Sequence, residues 1–224
     1  MPASQQVACV PGDIIVVDLM GPFPLSVDMF LYAMIIQNHV SSLVAPILLK
    51  AKSDAAKHLQ DWLVQFANIA QTTVKRVHTD NGGEFSSSFL STFFKEKGII
   101  HRKTIPYDHH QNGKVERTNC TLSRAARSMM IRANLPSIFW MYALRHAVWV
   151  FNWVLHNTNV TTPSRTVIKI KPSLTLLRVF GCKAFIHNMT QQKDLKAKAK
   201  EVVHMGVAQD SQGWVFYDPA TGGL

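Results

Sequence analysis

Two acidic residues sit in words that suit chemistry. Asp80 lies in His78-Thr79-Asp80-Asn81-Gly82-Gly83-Glu84-Phe85, and Glu116 in Gln111-Asn112-Gly113-Lys114-Val115-Glu116-Arg117, with 35 residues between them. A third acid, Asp18, closes the apolar run Asp13-Ile14-Ile15-Val16-Val17-Asp18-Leu19. Carboxylates held on rigid elements make a hard-oxygen site for Mg²⁺ or Mn²⁺. Two such ions about 3.5–4 Å apart serve phosphodiester chemistry: one activates the attacking water or 3′-hydroxyl, the other stabilises the leaving oxygen. Asp18, Asp80 and Glu116 are therefore the candidate catalytic and metal-binding residues, with Asp18 bridging and the carboxylates expected within about 4–8 Å of one another. Taken singly, each acid has a commoner role as a strand-end or helix-start cap.

The elements that must position them follow from periodicity. Asp13–Leu19 reads as a strand ended by Gly21-Pro22-Phe23-Pro24. Phe30–Ile36 is apolar throughout, as a strand covered on both faces must be, and Ala45–Leu49 forms a third strand that Pro46 assigns to an edge. Ser53 is the expected N-cap of a helix to about Ala70, with Ala56, Leu59, Trp62, Leu63, Phe66 and Ile69 on its apolar face. Val74–Thr79 alternates as a strand, which Asn81-Gly82-Gly83 breaks. Phe89, Leu90, Phe93 and Phe94 stripe the next helix, and Glu84 is read as its cap. Ile99–Lys103 is a fifth strand. A long helix is predicted over Lys114–Ala133, with Val115, Leu122, Ala126 and Met129 or Met130 inward and Arg117, Arg124, Arg127 and Arg132 on the open side. Pro136 opens another helix with Phe139, Trp140, Leu144, Val148, Phe151 and Leu155 in the core, and helical spacing gives Trp140, Trp149 and Trp153 to packing rather than base stacking. Asn157–Lys171 reads as linker. Leu176–Asn188, Val202–Ala208 and Trp214–Tyr217 are short strands. The order is that of an α/β layer fold.

The chain resembles the integrase of copia-type LTR retrotransposons, in the retroviral integrase superfamily. The resemblance rests on Asp18-Leu19-Met20-Gly21-Pro22, on the Asp80 and Glu116 words above with Thr118-Asn119, and on Gly98-Ile99-Ile100-His101. It continues through Ala126-Arg127-Ser128-Met129, Phe139-Trp140, Thr162-Pro163 and Leu177-Arg178-Val179-Phe180-Gly181-Cys182. It implies a ribonuclease-H-like catalytic core, a mixed five-stranded sheet with flanking helices, over 12–158. A leader of 1–11 precedes it, a linker of 159–172 follows, and a small SH3-like β domain takes 173–224, complete or cut short at Leu224. It implies 3′-end processing and strand transfer with two Mg²⁺ or Mn²⁺ ions, element and target DNA as partners, self-association and a nuclear site of action. The zinc module usual upstream of the first Asp is not found in the dozen or so residues before the first strand, so the chain reads as a fragment. Where the family has Asp-Asp-x-Ser-Arg after the second strand, Gln37-Asn38-His39-Val40-Ser41 stands here.

DNA contacts are expected around Glu116. The amides of Gln111 and Asn112 can bond bases or phosphates and Gly113 lets the loop flex; Lys114, Arg117 and Arg124 grip phosphates. His109 and His110 are expected to decorate that loop.

Composition agrees with a polyanionic partner. The formal net charge is +10, and it is uneven: residues 1–94 carry 5 basic and 7 acidic residues, 95–132 carry 9 and 3, and 165–203 carry 9 and 2. Cys9, Cys120 and Cys182 show no paired spacing, which points to a reduced, intracellular setting. No apolar run is long enough to span a membrane. A second functional reading is a non-catalytic, nucleic-acid-binding relic of such an element.

Overall fold

The computed structural model describes residues 10, 12–103, 109–156, 161–169, 174–187, 199–208 and 213–224; of His109–Asn112 and Leu176 it describes the backbone alone. Strand β1 (Ile14–Met20) is apolar on both faces because both are covered. Ile15 and Val17 enter one core, while Ile14 and Val16 point to the other side. β2 (Tyr32–Asn38) and β3 (Val44–Leu49) extend β1 as an antiparallel meander, and β4 (Arg76–Thr79) and β5 (Ile100–Lys103) pair in parallel on its other flank. The sheet order is β3-β2-β1-β4-β5, so Pro46 lies on an edge strand, as its missing N–H requires.

Helix α1 (Ala55–Ala70) covers one face with Leu59, Leu63 and Phe66, and α2 (Ser88–Glu96) adds Leu90, Phe93 and Phe94. Ser53 does not cap α1. A 3₁₀ turn over Lys52–Asp54 intervenes, and the Asp54 carboxylate accepts the Ala51 N–H. Ile69 is 67% and Phe89 49% exposed, each beyond the stripe that packs. Glu84 does not cap α2 either: Ser87 accepts the Leu90 N–H at 3.3 Å. Gly82 has ordinary extended angles, and a Cβ there would meet only the movable carboxylate end of Glu84.

Helix α3 (His109–Ala133) and helix α4 (Trp140–Trp153) cover the other face. Leu122, Ala126 and Met130 pack with Trp140, Leu144 and Val148 on Ala33, Ile35 and Leu48. Trp140 donates its indole N–H to the Pro24 carbonyl, and Trp149 and Trp153 stack at 4.8 Å. Leu155, 63% exposed, falls past the helix end. The stretch expected to be linker holds a short helix, α5 (Pro163–Ile168), with Thr162 as N-cap and Val167 buried against the α1 core. Its local cap and Pro at the first helical position outweigh the Thr/Pro/Lys composition.

A second sheet joins β6 (Lys183–His187), β7 (Ala199–Val207) and β8 (Trp214–Tyr217) as an antiparallel meander. It shares a core with α4: Met205 and Phe180 are buried there, and the Tyr217 and Phe139 rings lie 4.7 Å apart. Among the described residues no helix is long and apolar enough to cross a membrane. Residues 1–9 and 11 of the leader, 157–160 and 193–198 lie outside the described residues.

Candidate active site

Asp18 continues the Ile14–Val16 side of β1, the side that receives α3. Val115 packs on Ile14 and Val16, and one helical turn further Asn119 meets Asp18, donating Nδ2–H to Oδ2 at 2.5 Å. The other Asp18 oxygen accepts the Leu19 N–H at 3.0 Å. The parallel register that pairs Ile14 with Arg76 and Val16 with His78, carried two residues on, brings Asp80, just past the end of β4, level with Asp18 inside β1. Strands in a sheet lie about 4.8 Å apart. The Gly82 N–H donates to Asp80 Oδ1 at 3.2 Å, folding the loop back on the strand end. Glu116, next to Val115, is exposed.

Three acids therefore share one field. The Asp18 carboxyl titrates above the usual carboxylate range, first because it is partly buried, then because of the Asp80 charge, with Glu116 adding a smaller push. The Leu19 and Asn119 donors oppose that shift. Among the described residues, no three His, Cys, Asp or Glu side chains form a ready-made metal cage; like charges repel, and the Glu116 side chain faces solvent. The chemistry of the donors still fits a hard divalent cation. The acids crowd one another, and the buried Asn119 Oδ1 has no hydrogen-bond partner.

The helix that carries Glu116 is tied to the sheet by polar contacts. Gln37 Nε2 donates to Thr118 Oγ1 at 3.1 Å in a buried bond. Lys114 Nζ donates to the His39 carbonyl; burial lowers its pKa, and burial followed by the Lys114 charge lowers that of His39. Lys114 thus tethers α3 to the β2–β3 turn through one of its three ammonium protons. Asn38 builds that turn by accepting the Val40 and Ser41 N–H groups at 3.0 and 2.9 Å. The Gln37-Asn38 departure from the family word is thereby accommodated.

His109–Gly113 is helical rather than a loop, so Gly113 lies inside α3, against the Arg117 guanidinium. The side chains of His109, His110, Gln111 and Asn112 lie outside the described residues. Arg117 and Arg124 are exposed. Sequence reasoning missed Asn119, Thr118 and Gln37. The available signal for Asn119 was its place one turn beyond Val115, on the helix face that meets β1.

No family model matches the chain. In sequence it is 29% identical over 213 residues to the retrovirus-related Pol polyprotein from transposon TNT 1-94 of Nicotiana tabacum, covering 92% of the chain and 16% of that protein. It is 28% and 26% identical to those from transposons RE1 and RE2 of Arabidopsis thaliana, covering 81% and 89% of the chain but 12% and 14% of those proteins. The chain thus spans under a fifth of these relatives.

In fold it matches the HTLV-2 integrase catalytic core, solved with magnesium in a trimeric form, at TM-score 0.53 and 19% identity over 71% of the chain and 99% of that core. A simian T-cell lymphotropic virus intasome structure matches at TM-score 0.57 and 18% identity over 93% of the chain and 77% of its own. The chain resembles a copia-type integrase core in sequence, and its fold is that of retroviral integrase cores. The mixed five-stranded sheet is the ribonuclease-H-like one expected, and a three-stranded sheet follows it.

Proposed function

We propose that the chain is the catalytic core of a retrotransposon integrase, a divalent-metal-dependent polynucleotidyl transferase that processes 3′ ends and joins them to target DNA. The observation that carries this reading is the parallel register that sets Asp80 level with Asp18, beneath the helix that carries Glu116; burial first, then the Asp80 charge and, least, the Glu116 charge raise the Asp18 carboxyl. Asp18, Asp80 and Glu116 would hold the ions. When bound, the Mg²⁺ or Mn²⁺ pair supplies charge neutralisation at the phosphate and activation of the attacking hydroxyl. Asn119 fixes the Asp18 carboxylate, so its free lone pairs keep one direction. The Gln37–Thr118 and Lys114–His39 bonds hold α3, and with it Glu116, at a set distance from the sheet. Arg117 and Arg124, exposed along α3, bind the phosphates on either side of the reacting bond. Self-association, for which the integrase core solved in a trimeric form gives a precedent, and action on nuclear DNA belong to the same reading.

The test is Glu116→Gln, which keeps size and hydrogen bonding and removes one charge. Metal-dependent cleavage and joining, measured where the parent is active, are expected to fall at least about a thousandfold, some 4 kcal/mol, with metal-free DNA binding kept. Equal activity in the variant would leave the nucleic-acid-binding relic as the better reading.

A further inference from the structure

The edge of α3 that carries Glu116 leads into a cavity of about 540 Å³. With about 3.6 residues per turn and about 1.5 Å of rise each, Ser123 and Arg127 point within about 20° of Glu116, about 10 and 16 Å further along the helix. Both residues line the cavity, with Phe23 from the segment just past β1 and Leu144 from α4. The cavity therefore continues the acid site along one helix edge.

Its lining joins apolar surface to a few polar groups, the composition of a ligand pocket. Phe23, Met130 and Leu144 supply the first, and the Ser123 and Ser137 hydroxyls and the Asn134 amide supply donors and acceptors. Arg127 brings a positive charge, and no acid lies among the lining residues. Ile131, also in the lining, is 72% exposed, apolar surface that an occupant would cover.

The wall after β1 is fastened before any ligand arrives. Phe23 stacks on Trp140 with centroids 4.4 Å apart and planes at 29°. The Trp140 indole N–H bonds the Pro24 carbonyl at 2.7 Å, and the Val27 N–H bonds the Ile138 carbonyl at 3.1 Å. Tyr142 donates its hydroxyl to Asp28 at 2.9 Å. A preformed aromatic wall loses little freedom on binding.

We propose, resting on the integrase reading above, that this cavity takes one unpaired nucleobase from the end of the element DNA, with Arg127 on a phosphate of the same strand. Stacked bases advance about 3.4 Å each along a strand, so the cavity lies about two to four nucleotides from the phosphate at the acids. Phe23 offers an aromatic surface for stacking, and the hydroxyls and the amide meet the base edge. Unpairing costs least where a base is mismatched or already free, which favours a DNA end over the interior of the target.

Photocross-linking and binding without metal test it, and neither needs catalysis. Duplexes carry 5-iodouracil at successive positions from one end, and the cross-linked residues are mapped by mass spectrometry. Cross-links to Phe23 should come from about two to four nucleotides inside the end, and none from the middle of a duplex. In fluorescence anisotropy with EDTA, an end mismatched over those positions should bind roughly tenfold tighter than a paired one, because the unpairing cost is removed. Ser123→Phe, filling the cavity from its half-buried position on α3, should erase that preference while keeping affinity for paired ends. Glu116→Gln should keep both the cross-link and the preference, so its loss of cleavage bears on the acids alone. Absence of a Phe23 cross-link would overturn the proposal, and the integrase reading stands where the parent still cleaves. Cross-links to Phe23 from the duplex interior, or a preference for mismatched ends kept in folded Ser123→Phe, would also overturn it. So would a dimer of the parent that Ser123→Phe dissociates, which would give the cavity to a second copy. Should Ser123→Phe fail to fold, the cross-link map of the unaltered chain still decides.

Discussion

Asn119 and Asp18, 101 residues apart in sequence, are joined by one short side-chain hydrogen bond at the point where α3 crosses β1. The bond makes Asn119 a positioning residue for the proposed bridging acid. Asn119→Ala removes the donor and frees the Asp18 carboxylate to rotate. Metal-dependent strand cleavage should fall about 10–100-fold, the usual range for losing a group that orients a metal ligand. Asn119→Asp should fall further, because it adds a fourth negative charge to the same field. Cleavage assays across a Mn²⁺ series check this: for Asn119→Ala, raising the metal concentration should recover part of the rate. Full activity in the Ala variant would remove Asn119 from the site.

Asp18 itself should cost stability when no cation is present. Its folded pKa is raised, so between the ordinary value of 3.8 and the raised one the folded chain holds more protons than the unfolded chain. Stability is then greatest below 3.8 and falls as pH rises through that window. Asp18→Asn should melt above the parent at about pH 7, by roughly 2–4 °C or about 1 kcal/mol, and together with it near pH 3. Mg²⁺ should narrow the neutral-pH difference by stabilising the parent alone. A variant that melts below the parent at neutral pH would contradict the charge crowding.

The histidines act in the opposite direction. His78 and His146 are lowered to about 4, and His39, His101 and His204 are lowered as well, in each case first by burial. The unfolded chain therefore binds more protons between about 4 and 6.5, and stability present above 6.5 is lost as pH falls through that range. His146→Phe keeps an aromatic ring beside Phe180 and Trp149 and removes one titrating site. Urea melts between about pH 4 and 6.5 should show a pH slope shallower by up to about 1.4 kcal/mol per unit. An unchanged slope would mean that His146 does not titrate on unfolding.

What the sequence displayed was whatever depends on local pattern. The two-sided apolar runs at Ile14–Val17 and Ala33–Ile36 announce central strands, and Pro46 announces an edge. The spacing of Leu59, Leu63 and Phe66 gives the buried face of α1. The acids were legible because few reactions need Asp, Asp and Glu in these words. Contacts that depend on which elements meet were not legible. Nothing in the sequence places the His39 carbonyl beside Lys114. Asn119 looked like an ordinary helix residue. The start of α3 at His109 was missed because Asn112-Gly113 is a turn signal, yet tertiary packing of Val115 on β1 holds the helix in spite of it.

The DNA face can be tested with Lys114 as an internal contrast. Arg117 and Arg124 are exposed on α3, whereas Lys114 is half-buried and bonded to His39. Each phosphate contact contributes about 0.9 to the slope of log K against log salt on duplex DNA. Arg117→Gln with Arg124→Gln should therefore flatten that slope by nearly two units and weaken binding uniformly across sequences. Melting should be almost unchanged, because exposed charges contribute little to stability. Lys114→Gln should do the reverse, leaving the slope within about 0.3 units while lowering stability by about 1 kcal/mol through the lost tether. Fluorescence anisotropy over a salt series, run beside thermal melts of the same proteins, separates the two outcomes. A slope that drops by a full unit in Lys114→Gln would return that lysine to the DNA face, and an unchanged slope in the double arginine variant would move DNA off α3 altogether.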